Sequence, residues 1–228
     1  MKNQALSVSP YLTDFILFGE KIYASLPNKT VQVGKLATAQ ELAQVPHLDW
    51  VPVALLEFLR LRNGVTVRWH LDNVTTGQRI EGKVDIRPIQ HIYGDWKDIV
   101  YFGHEPAAWL ARMQTFKIVD FFADEACVGL FHTPAKDPEL HYYDFGSDTS
   151  PLGVDFQGYL ALLAHTLGYR YWQLLLLELD APTPATRPWH PQRPQTQELV
   201  QGLQQYVPGF DLQAFVARYD AVRLPTPA

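Results

Sequence analysis

Hydrophobic and polar residues alternate strictly in the segment from residue 65 to residue 71. Val65, Val67, Trp69 and Leu71 would occupy one face of a strand, and threonine, arginine and histidine the other. A second alternating segment covers residues 80–86, where isoleucine, glycine and valine alternate with charged residues. A face that carries alternating charges is hydrated, so the two segments predict an antiparallel sheet with one wet face.

Helical spacing of apolar residues predicts several helices around these strands. Pro52 begins an apolar segment that ends at Asn63-Gly64, two residues that tolerate the left-handed conformation of a helix C-terminus. Thr38 and Glu41 have the spacing of a capping box, which predicts a short helix from Thr38 to Val45. Further helices are expected over residues 10–26, 106–113, 156–167 and 169–179, and near 196–206 and 211–221.

The order of strands and helices predicts an α+β fold. Residues 116–121, 126–133 and 140–145 are expected to be strands, the last two forming a hairpin. Strands bracketed by helices, without a regular strand–helix rhythm, favour α+β over a parallel α/β sheet. The predicted organisation is an α+β domain over residues 1–180, a proline-rich linker over 181–195 and a helical C-terminal extension over 196–228.

Composition restricts the functional classes. The chain has 228 residues, of which 47% are hydrophobic, and a net charge of −5, which argues against direct nucleic-acid binding. Its single cysteine, Cys127, allows no internal disulfide and no cysteine-based zinc site. We recognise no signal peptide, membrane span or glycine-rich phosphate loop, and therefore expect a cytoplasmic protein without a nucleotide cofactor.

Acidic residues are concentrated between residues 120 and 155. Eight acids and one lysine lie there, so this segment carries −7 while the whole chain carries −5. Six aromatic residues are interleaved with the acids, as in protein interfaces that set tyrosine and phenylalanine inside a charged rim. The segment predicts a docking surface for a basic protein; a hydrated face without a partner, with half of the aromatic residues in the sheet core, is the alternative. The candidate protein-binding residues are Asp124, Glu125, Tyr142, Asp144, Asp148 and Asp155.

Catalytic chemistry has weaker support. His132, His141 and Asp144 have metal-ligand chemistry and would form a site only if the predicted hairpin brought them together. Two of the clustered acids would make an acid–base pair, the other route to a hydrolase. No serine lies in a nucleophile elbow, and Cys127 alternates in a strand like a small buried hydrophobe. We expect no catalytic residues, no metal and no cofactor.

Three blocks of the sequence resemble the SUKH superfamily, which contains the fungal Smi/Knr cell-wall regulators and many bacterial toxin-immunity proteins. The first block is the proline-led helix that ends at Asn63-Gly64, with the strand after it. The second covers residues 116–131 and the third covers residues 139–163. The blocks stand in the family's order over roughly residues 38–180. The resemblance implies an antiparallel or mixed sheet flanked by helices, and a binding scaffold rather than an enzyme.

The resemblance also implies a function, that of an immunity protein which binds and neutralises a cognate bacterial toxin. The acidic segment is an inference from charge alone, and it fits a basic toxin such as a nuclease, because enzymes that grip phosphate backbones carry lysine and arginine. A regulatory scaffold of the Smi/Knr type is the alternative. A neighbouring gene for a large secreted toxin would favour the immunity role.

Overall fold

The computed structural model describes residues 26, 28–72, 77, 79–179 and 189–225. Within these residues, seven strands form one antiparallel sheet whose strand order is the order along the chain. The strands are β1 (Lys29–Val33), β2 (Val65–Asp72), β3 (Arg79–Ile86), β4 (Phe116–Asp120), β5 (Ala126–Phe131), β6 (His141–Asp144) and β7 (Thr149–Pro151). The predicted antiparallel sheet is confirmed. The helix expected over residues 10–26 lies, apart from Leu26, outside the described residues.

Eight α-helices accompany the sheet in the described part of the chain. They are α1 (Ala39–Ala43), α2 (Val53–Leu61), α3 (Ile89–Ile92), α4 (Ala107–Gln114), α5 (Phe156–Thr166), α6 (Leu174–Glu178), α7 (Pro194–Tyr206) and α8 (Leu212–Val222). A 3₁₀ turn covers Leu48–Trp50. The sequence analysis missed this turn, β1, β7 and α3, of which all but β1 cover only three or four residues, too few to show a period. None of the described helices has the length and apolarity that crossing a membrane requires.

The main core lies between one face of the sheet and the longer helices. Val67 and Trp69 on β2 and Val84 on β3 are buried there, as the alternation predicted. The C-terminal helices α7 and α8 contribute Leu203 and Phe215 to the same core. The two C-terminal helices therefore pack on the sheet-and-helix core itself.

The described residues cover only part of the other face of the sheet. The segment that contains α4 packs on it and closes a second, smaller cluster of buried residues: Trp96, Val100, Met113, Phe116, Ile118, Cys127 and Tyr143. Cys127 is fully buried, which confirms its expected role as a small hydrophobe, and burial raises the pKa of its thiol well above the ordinary value. The remainder of this face, on β2 and β3, carries charged side chains.

Asn63 joins three helices, a role that the sequence did not reveal. Its side-chain Oδ1 accepts a hydrogen bond from the backbone N–H of Ile89 at 2.7 Å, and its Nδ2 donates to Glu41 and Gln90 at 3.3 Å each. Of the pair Asn63-Gly64, only Gly64 has a positive φ, of 97°. The expectation of a left-handed conformation is wrong for Asn63, and α2 already ends at Leu61, followed by the extended Arg62. The buried Asn63 amide instead supplies the first N–H of α3 with its acceptor.

The expected helix over residues 169–179 is wrong for Tyr169–Gln173. The N–H of Lys83 donates to the carbonyl of Gly168 at 2.8 Å, and the N–H of Arg170 donates to the carbonyl of Glu81 at 3.2 Å. β3 pairs with β4 at a single position only, Ile86 with Asp120. The backbone groups of β3 before that position therefore need other partners, and the segment after Gly168 supplies them. A bridge between Tyr169 and Gly82, followed by hydrogen-bonded turns through Gln173, therefore replaces the first helical turns, and α6 begins only afterwards.

Candidate functional site

A groove of about 810 Å³ lies between strands β3, β6 and β7 and helices α6 and α7. Its lining includes Glu125, Tyr142, Asp144 and Asp148, four of the six residues predicted for a docking surface. The hairpin of β5 and β6 brings these four together, because Asp144 pairs with Ala126, the residue next to Glu125. We refer to this site as the acidic groove.

Carboxylates outnumber cations in the acidic groove. Its lining contains the carboxylates of Glu81, Glu125, Asp144, Asp148 and Glu198 and the guanidinium groups of Arg79 and Arg170. The Arg170 guanidinium lies 3.1 Å from Glu81 and 2.9 Å from Glu125. The other three carboxylates are exposed and form no ion pair with any residue that the structure describes. The open part of the groove is therefore negative.

Apolar side chains form part of the walls of the acidic groove. Leu174, Leu177 and Leu199 from α6 and α7 line it, together with tyrosine rings. Tyr142 is only 7% exposed, and burial raises the pKa of its hydroxyl. The Tyr171 hydroxyl donates a hydrogen bond to Glu125. The arrangement is a groove with apolar patches on its walls and several carboxylates along its lining.

The remaining two predicted residues lie outside the acidic groove. Asp124 lines a neighbouring cleft of about 440 Å³, where its charge acts on Lys83. Asp155 is the N-cap of α5, and its Oδ1 accepts a hydrogen bond from the N–H of Gly158 at 2.8 Å. The Asp155 carboxylate is thus engaged by the helix it begins.

Asp120, another of the clustered acids, is completely buried. Its Oδ1 accepts from the N–H of Asp85 at 2.8 Å, and its Oδ2 accepts from the Tyr159 hydroxyl at 2.7 Å. Burial raises the pKa of the Asp120 carboxyl to about 6, against the lowering effect of these two hydrogen bonds. The segment charge of −7 therefore overstates the charge at the surface.

The clustered aromatic residues divide between the two faces of the sheet. Phe122 and Tyr142 belong to the main core, and Tyr143 belongs to the second cluster. Phe121 and Phe131 are half-buried on the second face, where they stack with the cationic groups of Lys83, Arg87 and Arg112. Half of the six aromatic side chains are buried, which agrees with their alternation along core strands.

The candidate metal ligands His132, His141 and Asp144 do not converge. The His132 ring nitrogen Nε2 lies 2.8 Å from the carbonyl of Pro46, whereas His141 lies opposite Gly129 on β5. Burial lowers the pKa of both histidines, that of His141 to about 4. The described residues contain no group of three or more histidine, cysteine or acidic side chains placed to hold a metal ion.

Four charged residues of the acidic groove were missed by the sequence analysis, of which Glu198 lies on α7 and the other three come from more distant segments. Arg79 and Glu81 lie on β3, and Arg170 lies in the segment that was expected to be helical. They come to the groove through pairing between segments about 90 residues apart, as the ion pair of Arg170 and Glu81 shows. Local sequence patterns carry no signal for such a contact.

Comparisons of the chain with protein-family models, with curated proteins and with solved structures found no match. The resemblance to the SUKH superfamily therefore rests on the three sequence blocks. The sheet order and the acidic groove are the structural observations from which a function can be argued.

Proposed function

We propose that this chain is a non-catalytic, protein-binding member of the SUKH group that neutralises a cognate bacterial toxin by covering a basic surface on it. The observation that carries the proposal is the acidic groove, where three exposed carboxylates that have no cationic partner among the described residues lie beside leucine and tyrosine side chains. The antiparallel sheet flanked by helices is compatible with the architecture that the SUKH resemblance implies.

The chemistry of the acidic groove favours lysine or arginine side chains as its occupants. Their aliphatic stems would pack on Leu174 and Leu177, while their charged ends reach the carboxylates of Asp144 and Asp148. Charge complementarity of this kind accelerates association and rejects partners that carry negative charge. A basic protein surface satisfies both requirements.

A nuclease is the toxin that this chemistry favours as the partner. A nuclease holds the phosphate backbone of its substrate with lysine and arginine, and carboxylates that engage these residues compete with the phosphates. In this proposal the chain acts in the cytoplasm, where it meets the toxin before nucleic acid is cleaved. The neutralising protein needs no catalytic group of its own.

Charge reversal in the acidic groove tests the proposal. The double variant D144K/D148K is compared with D49K/D72K, which changes two exposed acids outside the groove by the same total charge. The full chain is immobilised to capture its partner from cells that produce it, and the affinity of the captured protein is then measured for each variant at several salt concentrations.

We expect the captured protein to be basic, its affinity to fall with salt, and D144K/D148K to weaken binding about 100-fold or more, since like charges would face each other. D49K/D72K should bind like the wild type. The proposal would be contradicted if the captured protein bound both double variants with equal affinity. It would also be contradicted if the captured protein were acidic and its binding did not change with salt. A captured nuclease whose activity the chain leaves intact would contradict the neutralising role.

A further inference from the structure

A cleft on the wet face of the sheet lies beside the acidic groove and has the opposite charge. Its volume is about 440 Å³, and its lining includes Thr30, Arg68, His70, Arg79, Lys83 and Arg170. Glu81 and Asp124 are the two carboxylates in the same lining. We refer to this site as the basic cleft.

Three hydrogen-bond donors form a row across the floor of the basic cleft. Thr30 on β1 pairs with Arg68 on β2, and Arg68 pairs with Lys83 on β3, so the three side chains stand on the same face of neighbouring strands. Adjacent strands are about 4.8 Å apart, which brings a hydroxyl, a guanidinium and an ammonium group within reach of one small ligand.

The pairing of Arg68 with Lys83 is unfavourable in the free protein. Like charges directly opposite each other destabilise an antiparallel pair of strands. Burial lowers the pKa of Lys83, and the charge of Arg68 lowers it further, against the opposing effect of Asp85, whose carboxylate lies 3.8 Å from the Lys83 ammonium. The sheet thus retains two cations at its floor that repel each other.

Most other charges of the basic cleft are already engaged. Glu81 is shared by Arg170, at 3.1 Å, and by Arg79, at 3.8 Å. In contrast, no hydrogen bond or ion pair joins the Thr30 hydroxyl or the Arg68 guanidinium to another described residue. The Thr30 hydroxyl and the Arg68 guanidinium, both exposed, therefore have no protein partner among the described residues, and they lie beside Lys83, whose ion pair with Asp85 is 3.8 Å long.

We propose that the basic cleft binds a phosphate monoester, with its oxyanion held by Thr30, Arg68 and Lys83. A dianion with several oxygens matches two cations and a hydroxyl on three strands better than a carboxylate does, because a carboxylate offers one planar edge with a single charge. The cleft volume leaves room for a small organic group on the phosphate. This site goes beyond the proposed toxin binding and does not depend on it.

Calorimetric titration of the full chain tests the site. The probes are inorganic phosphate and glycerol 2-phosphate, with sodium acetate as the carboxylate comparison at equal ionic strength. We expect saturable binding of one phosphate per chain, tighter binding of the ester, and at least tenfold weaker binding of acetate. No saturable heat with either phosphate up to about 10 mM, or equal binding of acetate, would overturn the proposal.

Matched variants locate the binding. R68Q should weaken phosphate binding at least tenfold and, without phosphate, raise the melting temperature, because it removes the like-charge pair. D124N should tighten phosphate binding, since it removes a carboxylate from the lining. R60Q, which changes an exposed arginine on α2 outside the cleft, should bind phosphate like the wild type.

These variants also make the inference refutable. If R68Q binds phosphate as tightly as the wild type, the row across the sheet is not the site. If R68Q fails to fold, T30V serves in its place, because it keeps the size and branching of the side chain on an exposed edge strand and removes only the hydroxyl donor. The site would also be rejected if T30V bound phosphate as tightly as the wild type and D124N bound it no more tightly than the wild type.

Discussion

The completely buried carboxyl of Asp120 should make the stability of the fold depend on pH. Burial raises the pKa of Asp120 from 3.8 to about 6 in the folded chain. An acid whose pKa is higher in the folded state than in the unfolded state binds its proton more tightly when folded. The free energy of unfolding therefore falls as the pH rises from about 4 to about 7, through the pKa of the folded state, and this contribution is constant at higher pH.

Substitution of Asp120 by asparagine isolates this effect. The shift of about two pKa units corresponds to about 3 kcal/mol at 1.36 kcal/mol per unit. Asparagine cannot ionise, but it keeps a carbonyl oxygen for the N–H of Asp85. The hydrogen bond donated by Tyr159 loses its acceptor, which adds an offset of about 1 kcal/mol that does not vary with pH in this range. Between pH 4 and pH 7 the wild type should lose about 2 kcal/mol of unfolding free energy relative to Asp120→Asn, because the unfolded carboxyl, with a pKa of 3.8, is already mostly ionised at pH 4.

Urea unfolding followed by tryptophan fluorescence measures the difference between the two proteins at pH 4, 5, 6 and 7. Asp148→Asn, which changes an exposed carboxylate, is the control for general charge effects. If the free-energy difference between the wild type and Asp120→Asn is the same at every pH, burial does not raise the pKa of Asp120. If the wild type gains stability over the variant with rising pH, the pKa is lowered instead, and the reasoning is wrong in sign.

Three further substitutions test other parts of the structure. Asn63→Ala should reduce the free energy of unfolding by about 2–4 kcal/mol in chemical denaturation, because it leaves the buried N–H of Ile89 without an acceptor; a loss below about 0.5 kcal/mol would contradict this role. Gly82→Ala should reduce the free energy of unfolding by about 3 kcal/mol or prevent folding, since the added methyl carbon would lie 2.3 Å from the Trp69 indole nitrogen. A melting temperature equal to that of the wild type would show that the indole can move. Arg170→Gln should change the free energy of unfolding by less than about 1 kcal/mol, because its ion pairs with Glu81 and Glu125 are half exposed, and it should tighten binding of a basic partner, because it removes a positive charge from the acidic groove. Weaker binding would show that Arg170 itself contacts the partner.

Local patterns in the sequence were sufficient for much of the sheet. The alternation of Val65, Val67 and Trp69 predicted both the strand β2 and its buried face, because side chains of a strand point to alternate faces. The capping box of Thr38 and Glu41 is present at the start of α1. Each of these features is determined by residues within a few positions of one another.

Long-range pairing could not be predicted in the same way. The segment after Gly168 is strongly apolar and aromatic, and its periodicity alone does not show that it completes the edge of β3. Arg170 consequently reaches the acidic groove from a segment that local propensity assigns to a helix. The burial of Asp120 could not be predicted either, because a count of charges along the chain does not distinguish a surface carboxylate from a buried one.

Carboxyl footprinting of the complex tests the central claim most directly. The free chain and the chain bound to its captured partner are treated with a carbodiimide and glycine ethyl ester, and modification is read by mass spectrometry. Our account predicts that binding protects Asp144, Asp148 and Glu198, while the exposed carboxylates of Asp49 and Asp72, outside the acidic groove, react as in the free chain. Undiminished modification of the three groove carboxylates in a saturated complex would contradict it.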